Sequence, residues 1–413
     1  MRRALVVAAI VSACATRQRS PTPLVWERRV SVSRDRLTVT TCFDPERCEE
    51  RDHPFSHRAS ETLTLRNSEW LPHPSPWRPE LVVRTRFELP EGWDVSTAWP
   101  RSNGVYLMDA TATEWEGYTL VGPLAREEIT LEGTVFDVTR EGFSEGSSPR
   151  VDRWLGEAWS AARSLVPAAS PPRVQVLLRA TERGGDAVRF GLVSRGGGPS
   201  VMFFIARDAT ENELARDWQA THELVHVVHP VFIDADAWLR EGLATWYQEV
   251  LRARRGAITP ETAWTTLCDG LTRAALEGSG ATLAEESASM TRTRRYHRVY
   301  WWGVAVVLAL DVRIRERSHG RASLDTALRS LYEASQRAPT RAWCARDAVS
   351  VFERATGVSL WTEVVAPALA SREFVAVEAT LESLGIRRDP RGAVSLSATS
   401  PRGEIRDAIM RGR

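Results

Sequence analysis

The chain has 413 residues, 43% of them hydrophobic, and a formal net charge of +1. This length allows two or three domains with a sizeable buried core. The near-neutral charge excludes the strong basic field with which many proteins attract nucleic acid, so we expect no nucleic-acid partner.

The first segment, residues 1–24, has the pattern of a lipoprotein signal peptide followed by a tether. Two arginines precede an apolar stretch at residues 4–11, which is too short to span a bilayer. The residues that end at Cys14 are similar to the lipobox of bacterial lipoproteins, in which cleavage leaves a lipid-modified cysteine; an ordinary signal peptide is the alternative. We therefore expect an exported protein of the bacterial cell envelope, periplasmic or in the outer membrane, held on the membrane by an N-terminal lipid.

Four further cysteines suit an exported protein, because an even number favours disulfide bonds. We predict one disulfide between Cys42 and Cys48, across a short loop, and one between Cys268 and Cys344, between helices. Buried free thiols are the alternative, since a sequence does not fix connectivity.

Residues 25–147 are predicted to form an N-terminal all-β domain. Alternating or β-branched runs, separated by Pro, Gly and Asn clusters, indicate strands at residues 30–32, 37–40, 62–65 and 81–85. A polar, glycine- and serine-bearing stretch at residues 142–149 marks the predicted boundary.

Residues 148–257 are predicted to form the next domain, with a small mixed sheet. A helix is expected at residues 153–165, and strands at 174–178 and 201–205, with Gly196, Gly197 and Gly198 as a turn beside an edge strand. Thr210 and Glu213 have the spacing of a capping box at the start of a helix. An apolar stripe continues to Val228 and Pro230 ends the pattern, which predicts one helix over 210–228.

That helix carries His222 and His226, which are four residues apart and therefore present two imidazoles on one face. Glu223 lies between them, placed to hold a water near a shared ion. Glu241 follows early in a second helix, with Asp236 as its predicted N-cap, and offers a third ligand. These residue types predict a zinc hydrolase site with one position open to water.

The alternative interpretation is two core histidines bonded to the backbone and one solvated glutamate. His229 lies three residues after His226 on the same face. It could compete as a ligand, but we expect it to end the helix or to orient a ligand histidine.

Residues 258–386 are predicted to be mainly helical, and residues 387–413 form a tail with weak periodicity. The apolar run at residues 304–310 is bounded too closely by arginines to cross a membrane. The expected fold class is an α+β multidomain protein.

Two segments carry a resemblance to a known family. HELVH at residues 222–226, followed by WLREGLATWY at residues 238–247, resembles the gluzincin clan of metallopeptidases. Within it the chain is most similar to the glycyl aminopeptidase family. Residues 300–303 (Tyr-Trp-Trp-Gly) stand where that family and its aminopeptidase relatives carry Tyr-x-Lys-Gly, and residues 89–93 resemble its N-terminal β domain. The similarity spans residues 25–386.

The resemblance implies a thermolysin-like catalytic domain with one Zn²⁺ held by His222, His226 and Glu241. It implies that Glu223 takes a proton from the zinc-bound water and passes it to the leaving amine. It also implies that Tyr300 donates a hydrogen bond to the oxyanion of the tetrahedral intermediate.

Two departures bear on specificity. Residues 191–204 contain no acidic residue, whereas the aminopeptidase relatives carry a glutamate in this stretch that binds the substrate's amino group. Exopeptidase and endopeptidase activity therefore both stay open. Trp302 replaces the family's lysine, and Tyr296, one turn before Tyr300, is the alternative oxyanion donor. The expected function is a zinc-dependent metallopeptidase acting on peptides or proteins; the alternative is a non-catalytic lipoprotein binding module that retains a peptidase fold.

Overall fold

The computed structural model describes residues 24–33, 36–44, 46–54, 62–72, 81–143, 148–168, 170–389 and 391–412. The predicted signal peptide, with Cys14, lies outside these residues. No helix in the described part of the chain is both long and apolar enough to cross a membrane.

Strands and helices alternate little along the chain: strands dominate the first half and helices the second. The strands are β1 (Leu24–Val32), β2 (Arg36–Asp44), β3 (Arg47–Pro54), β4 (Leu63–Arg66), β5 (Leu81–Glu88), β6 (Asp94–Thr97), β7 (Arg101–Ser102), β8 (Val105–Met108), β9 (Tyr118–Gly122), β10 (Ala125–Leu131), β11 (Thr134–Glu141), β12 (Arg173–Thr181), β13 (Val188–Ser194), β14 (Ser200–Ala206), β15 (Ile386–Arg388) and β16 (Val394–Leu396).

Most of the helices follow β14. The helices are α1 (Asn67–Trp70), α2 (Thr111–Glu114), α3 (Ser148–Arg163), α4 (Glu211–Arg216), α5 (Gln219–Val227), α6 (Ala237–Arg254), α7 (Pro260–Leu276), α8 (Leu283–Ala288), α9 (Met290–Thr293), α10 (Tyr296–Arg317), α11 (Leu324–Ser335), α12 (Ala345–Thr356), α13 (Ala366–Ala370), α14 (Glu378–Ser383) and α15 (Gly403–Arg411). A 3-10 turn precedes α6 and a π-helical turn precedes α13.

The N-terminal part contains a six-stranded sheet, in the order β3-β2-β1-β5-β8-β7, and a three-stranded sheet, in the order β4-β9-β6. Alternate apolar side chains of these strands, among them Val30, Leu37 and Val83, are fully buried in one core. Cys42 lies opposite Cys48 in the β2–β3 register, and the predicted disulfide between them is formed.

A five-stranded mixed sheet, in the order β10-β11-β12-β14-β13, follows. The predicted domain boundary at residue 147 is therefore wrong. Strands β10 and β11 lie before that residue, and yet they are hydrogen-bonded within this sheet. β13 pairs with β14 on one side only among the described residues, so it forms an edge of the sheet. Helix α5 packs beside this edge strand.

Helices α6 and α10 cross at a pair of glycines. A Cβ atom on Gly242 of α6 would lie 2.6 Å from the carbonyl carbon of Gly303 on α10. A Cβ atom on Gly303 would lie 2.1 Å from the carbonyl oxygen of Trp238. Only glycine allows the two backbones to come this close, so the crossing fixes the spacing between the two helices.

Two further predictions from the sequence are wrong. Cys268, buried on α7, and Cys344, the residue before α12, are both free thiols, so the second predicted disulfide is not formed. The segment 387–413 is not a loose tail, because β15 and β16 form a hairpin and Ile409 and Met410 of α15 are buried in the main core.

Candidate metal centre

Helix α5 starts at a break that the sequence did not indicate. The Asp217 carboxylate accepts hydrogen bonds from the backbone N–H groups of Gln219 (3.1 Å) and Ala220 (2.9 Å), and from the Trp154 indole (3.0 Å). The capping box of Thr210 and Glu213 is confirmed, but it begins the separate helix α4. The prediction of one helix over 210–228 is therefore wrong, because Asp217 starts a new helix.

Three ligand atoms converge between α5 and α6. The Nε2 atoms of His222 and His226 are 3.2 Å apart, and Oε2 of Glu241 lies 3.5 Å from the first and 3.4 Å from the second. All three side chains are buried. Ligand atoms bound tetrahedrally to zinc at about 2.0–2.2 Å lie roughly 3.3–3.6 Å from one another, so the spacing fits one zinc ion with a fourth position free.

Hydrogen bonds behind the histidines assign their tautomers. Nδ1 of His229 is 2.8 Å from the carbonyl oxygen of Pro230, which can only accept, so Nδ1 of His229 carries the proton. Its Nε2 then accepts from Nδ1 of His226 (2.8 Å). Nδ1 of His222 donates to Oε1 of Gln248 (2.8 Å). Both ligand histidines are therefore left with an Nε2 lone pair aimed into the site.

Two lone pairs and a carboxylate at this distance repel one another unless a cation lies between them. Burial lowers the pKa of His226 to about 4, so this ring is neutral at pH 7. Burial alone would raise the pKa of Glu241, but the neighbouring imidazoles and Arg240 lower it well below its usual value. A neutral imidazole and an ionised carboxylate are the forms that bind zinc.

Glu223 borders the same cavity, whose volume is about 370 Å³. A Cβ atom on Gly191 of β13 would lie 2.4 Å from Cγ of Glu223, so the glycine lets the glutamate lie against the edge strand. Burial raises the pKa of Glu223 to about 7.

Two tyrosines of α10 also border the cavity. The ring of Tyr300 stacks on His222 with a centroid distance of 6.1 Å. Burial, together with the nearby charge of Glu241, raises the pKa of Tyr300 above its usual value. Tyr296 is 42% exposed and lies at the rim of the cavity.

Asp236 does not cap α6, although it directly precedes the helix. Its side chain shows no capping hydrogen bond and instead accepts one from the backbone N–H of Ala345 (2.7 Å). The prediction that Asp236 directly precedes this helix is confirmed, and the prediction that its side chain caps the helix is wrong.

No protein-family model and no curated protein sequence matches the chain. Among solved structures, an aminopeptidase N family protein from Idiomarina loihiensis has a TM-score of 0.68 with 14% sequence identity, over 91% of this chain and 82% of that one. An M1 zinc metallopeptidase from Deinococcus radiodurans has a TM-score of 0.47 with 15% identity, over 81% of this chain and 91% of that one.

The chain shares the fold of the Idiomarina loihiensis aminopeptidase N family protein.

Within this fold, β13 and α5 run side by side, and the three candidate ligands, Glu223 and Tyr300 border the cavity between β13, α5, α6 and α10. Two further residues, Arg195 and Arg240, border the cavity, and no motif in the sequence had indicated them. The sequence did contain one indication of Arg195, because it is the only charged residue within residues 191–204.

Proposed function

We propose that the protein is a zinc-dependent metallopeptidase that hydrolyses peptide bonds. The observation that carries the proposal is the triangle formed by Nε2 of His222, Nε2 of His226 and Oε2 of Glu241, with Glu223 beside it on the open side of the cavity. When bound there, zinc supplies a Lewis acid that polarises a carbonyl and lowers the pKa of water.

Glu223 acts as the general base in this proposal. A carboxyl whose pKa is about 7 can accept a proton from the attacking water and return it to the leaving amine near neutral pH. The Gly191 contact holds the carboxyl against the edge strand, so its position relative to a bound peptide is restricted.

Tyr300 and β13 act on the substrate in this proposal. The raised pKa keeps the Tyr300 hydroxyl protonated, so that it can donate a hydrogen bond to the carbonyl oxygen as negative charge develops. The edge of β13 that pairs with no other described strand offers backbone groups with which an extended peptide can pair.

The first test is Glu223→Gln, which keeps the shape of the side chain and removes the base. We expect the variant to retain about one zinc per chain, by elemental analysis, and to lose hydrolysis of a peptide library. Chelation of the metal should likewise stop hydrolysis by the wild type. Undiminished hydrolysis by Glu223→Gln would contradict the mechanism, and a wild type that binds zinc but cleaves nothing would favour a binding protein.

The second test compares Tyr300→Phe with Tyr296→Phe, a matched change one helical turn away at the rim. We expect Tyr300→Phe to lower kcat by roughly a hundredfold or more, the scale of a lost oxyanion donor. Tyr296→Phe should change kcat little. A large loss of kcat in Tyr296→Phe and a small loss in Tyr300→Phe would instead assign the oxyanion contact to Tyr296.

A further inference from the structure

The charged groups around the cavity are unevenly distributed. Among the described residues that border it, the only acidic ones are Glu223 and Glu241, whereas the guanidinium-bearing ones are Arg195 and Arg240. In the proposed function Glu223 transfers the proton and Glu241 binds the metal, so neither carboxylate is left for the substrate. A substrate ammonium group would therefore find no free carboxylate, while a substrate carboxylate would find two arginines.

Arg195 has no acidic partner within the described part of the chain. Its Nη2 donates to the backbone carbonyl oxygens of His226 and of His229, the latter at 2.8 Å, and no carboxylate lies within 4.0 Å of its guanidinium. Its Nε and Nη1 donate no hydrogen bond to a described residue, and neither is among the fully buried unpaired atoms. A partly buried positive charge held by neutral carbonyls has donors left for an anion.

Arg240 adds a second positive charge at the cavity. Its Nε donates to Oε1 of Glu241 (2.8 Å), and its Nη1 is 4.0 Å from the exposed Asp234. The two arginines are close enough for each charge to act on the other. Since a bound metal would take up the charge of Glu241, the loaded cavity carries an excess of positive charge.

We propose that the site selects peptides that present a carboxylate to Arg195, with Arg240 as a supporting charge. The carboxylate can belong to an aspartate or glutamate side chain near the cleaved bond or to the substrate's C-terminus; the chemistry of recognition is the same. This inference rests on the proposed peptidase function and names its substrate class.

The first experiment uses the wild-type chain and no variant. A peptide that the chain cleaves is resynthesised with Glu or Gln at each position near the cleaved bond, and with a free or an amidated C-terminus. We expect kcat/KM to be about tenfold or more higher for one member of these pairs, the carboxylate form, as for a charge-assisted hydrogen bond. Equal values for every Glu/Gln and acid/amide pair would overturn the proposal, and the pair that differs identifies the source of the carboxylate.

The second experiment compares Arg195→Gln with Arg189→Gln. Arg189 lies on β13, the strand that ends directly before Arg195, and it does not border the cavity, so it is a matched control. Arg195→Gln should lower kcat/KM more for the carboxylate peptide than for its amide partner, so that the ratio of the two values falls toward one. Arg189→Gln should keep the wild-type preference. If Arg195→Gln folds poorly, Arg195→Lys keeps a positive charge and should keep part of the preference. A preference that survives in Arg195→Gln would overturn the assignment.

The third experiment separates binding from hydrolysis. Glu223→Gln is titrated by calorimetry with two pairs of acetylated peptides, one differing only by a central Glu or Gln and one only by a free or amidated C-terminus. We expect the carboxylate form of one pair to bind about tenfold or more tightly than its partner, and Arg195→Gln in the same background to remove the difference. If the carboxylate form binds more tightly but the wild type cleaves no peptide, the carboxylate site is retained and the peptidase function is rejected. Cleavage by the wild type, with no difference in binding between the two forms of any pair, would reject the carboxylate site and retain the peptidase function.

Discussion

At the scale of single residues, Glu223 holds a proton more tightly than an exposed glutamate because its surroundings exclude water. Burial and the charge of Glu241 together raise its pKa to about 7, although His222 acts in the opposite direction. The shift makes the carboxyl a better proton carrier near neutral pH and also lowers the stability of the fold, since the charged form is disfavoured only in the folded chain.

Glu223→Gln should therefore stabilise the metal-free protein at high pH. Between the usual pKa of 4.5 and about 7, the unfolded chain releases this proton and the folded chain keeps it, so the wild type loses stability as pH rises. We expect urea unfolding to give equal free energies for the two chains at pH 4 and a difference of about 2–3 kcal/mol in favour of the variant at pH 8. A difference that does not change with pH would contradict the shift.

The side chains of the metal site were predictable from the sequence, but the groups that orient them were not. His222, His226 and Glu241 meet as their helical spacing indicated. The partner of His222 is Gln248, which lies 26 residues later on another helix. Its position depends on how α5 and α6 pack, and helical periodicity does not specify this.

At the scale of elements, the crossing of α6 with α10 sets the width of the site. Glu241 directly precedes Gly242 on α6, and Tyr300 lies one turn before Gly303 on α10. Because the glycines bring the backbones into contact, the Glu241 carboxylate and the Tyr300 hydroxyl are held close together at one cavity.

Gly303→Ala should weaken both stability and catalysis. The new Cβ would lie 2.1 Å from the carbonyl oxygen of Trp238, a backbone atom, so the helices must move apart. We expect the free energy of unfolding to fall by about 1–3 kcal/mol, as for other overpacked cores, together with a lower kcat.

The control is Gly156→Ala in the middle of α3, where the new Cβ would meet only Leu131 at an ordinary 3.6 Å. Alanine favours a helix over glycine by about 1 kcal/mol, so this variant should be unchanged or more stable. Equal losses in the two variants would show that the crossing has no special role.

Periodicity located several elements, including β1, β2, β5, β12, β14 and α3, and it failed where a distant contact decides. Asp217 ends α4 and starts α5 with help from Trp154, which is 63 residues earlier in the chain. The predicted disulfide between Cys268 and Cys344 is wrong for the same reason. A disulfide needs Cα atoms within about 7 Å of each other, and no local sequence pattern indicates that distance.

At the scale of the whole molecule, three glycines join the N-terminal sheets to the metal site. A Cβ on Gly196 would lie 2.7 Å from the carbonyl oxygen of Trp115, and on Gly197 it would lie 2.1 Å from the Trp99 ring. The backbone N–H groups of Arg195 and Gly196 both donate to the carbonyl oxygen of Glu116, at 2.9 and 2.7 Å. The predicted turn is thus also a contact between the two parts of the chain.

Gly197→Ala should loosen this contact. It combines a left-handed backbone (φ 86°) with a clash against Trp99, whereas Gly92→Ala has a similar backbone (φ 77°) and no neighbour within 4 Å. We expect Gly92→Ala to cost about 1–2 kcal/mol of unfolding free energy, from the backbone alone, and Gly197→Ala clearly more. Denaturant unfolding of both variants measures the difference, and similar losses would mean that the Trp99 contact can relax.

The facing nitrogens of His222 and His226 have a consequence for how the centre is filled. Their Nε2 atoms are 3.2 Å apart, and the charge of Glu241 holds the pKa of His222 above its usual value although burial opposes this. A hydrogen ion and Zn²⁺ therefore compete for the same lone pairs in this centre. Zinc titrations should give a weaker affinity at pH 5 than at pH 8, and an affinity that does not change with pH would contradict this competition.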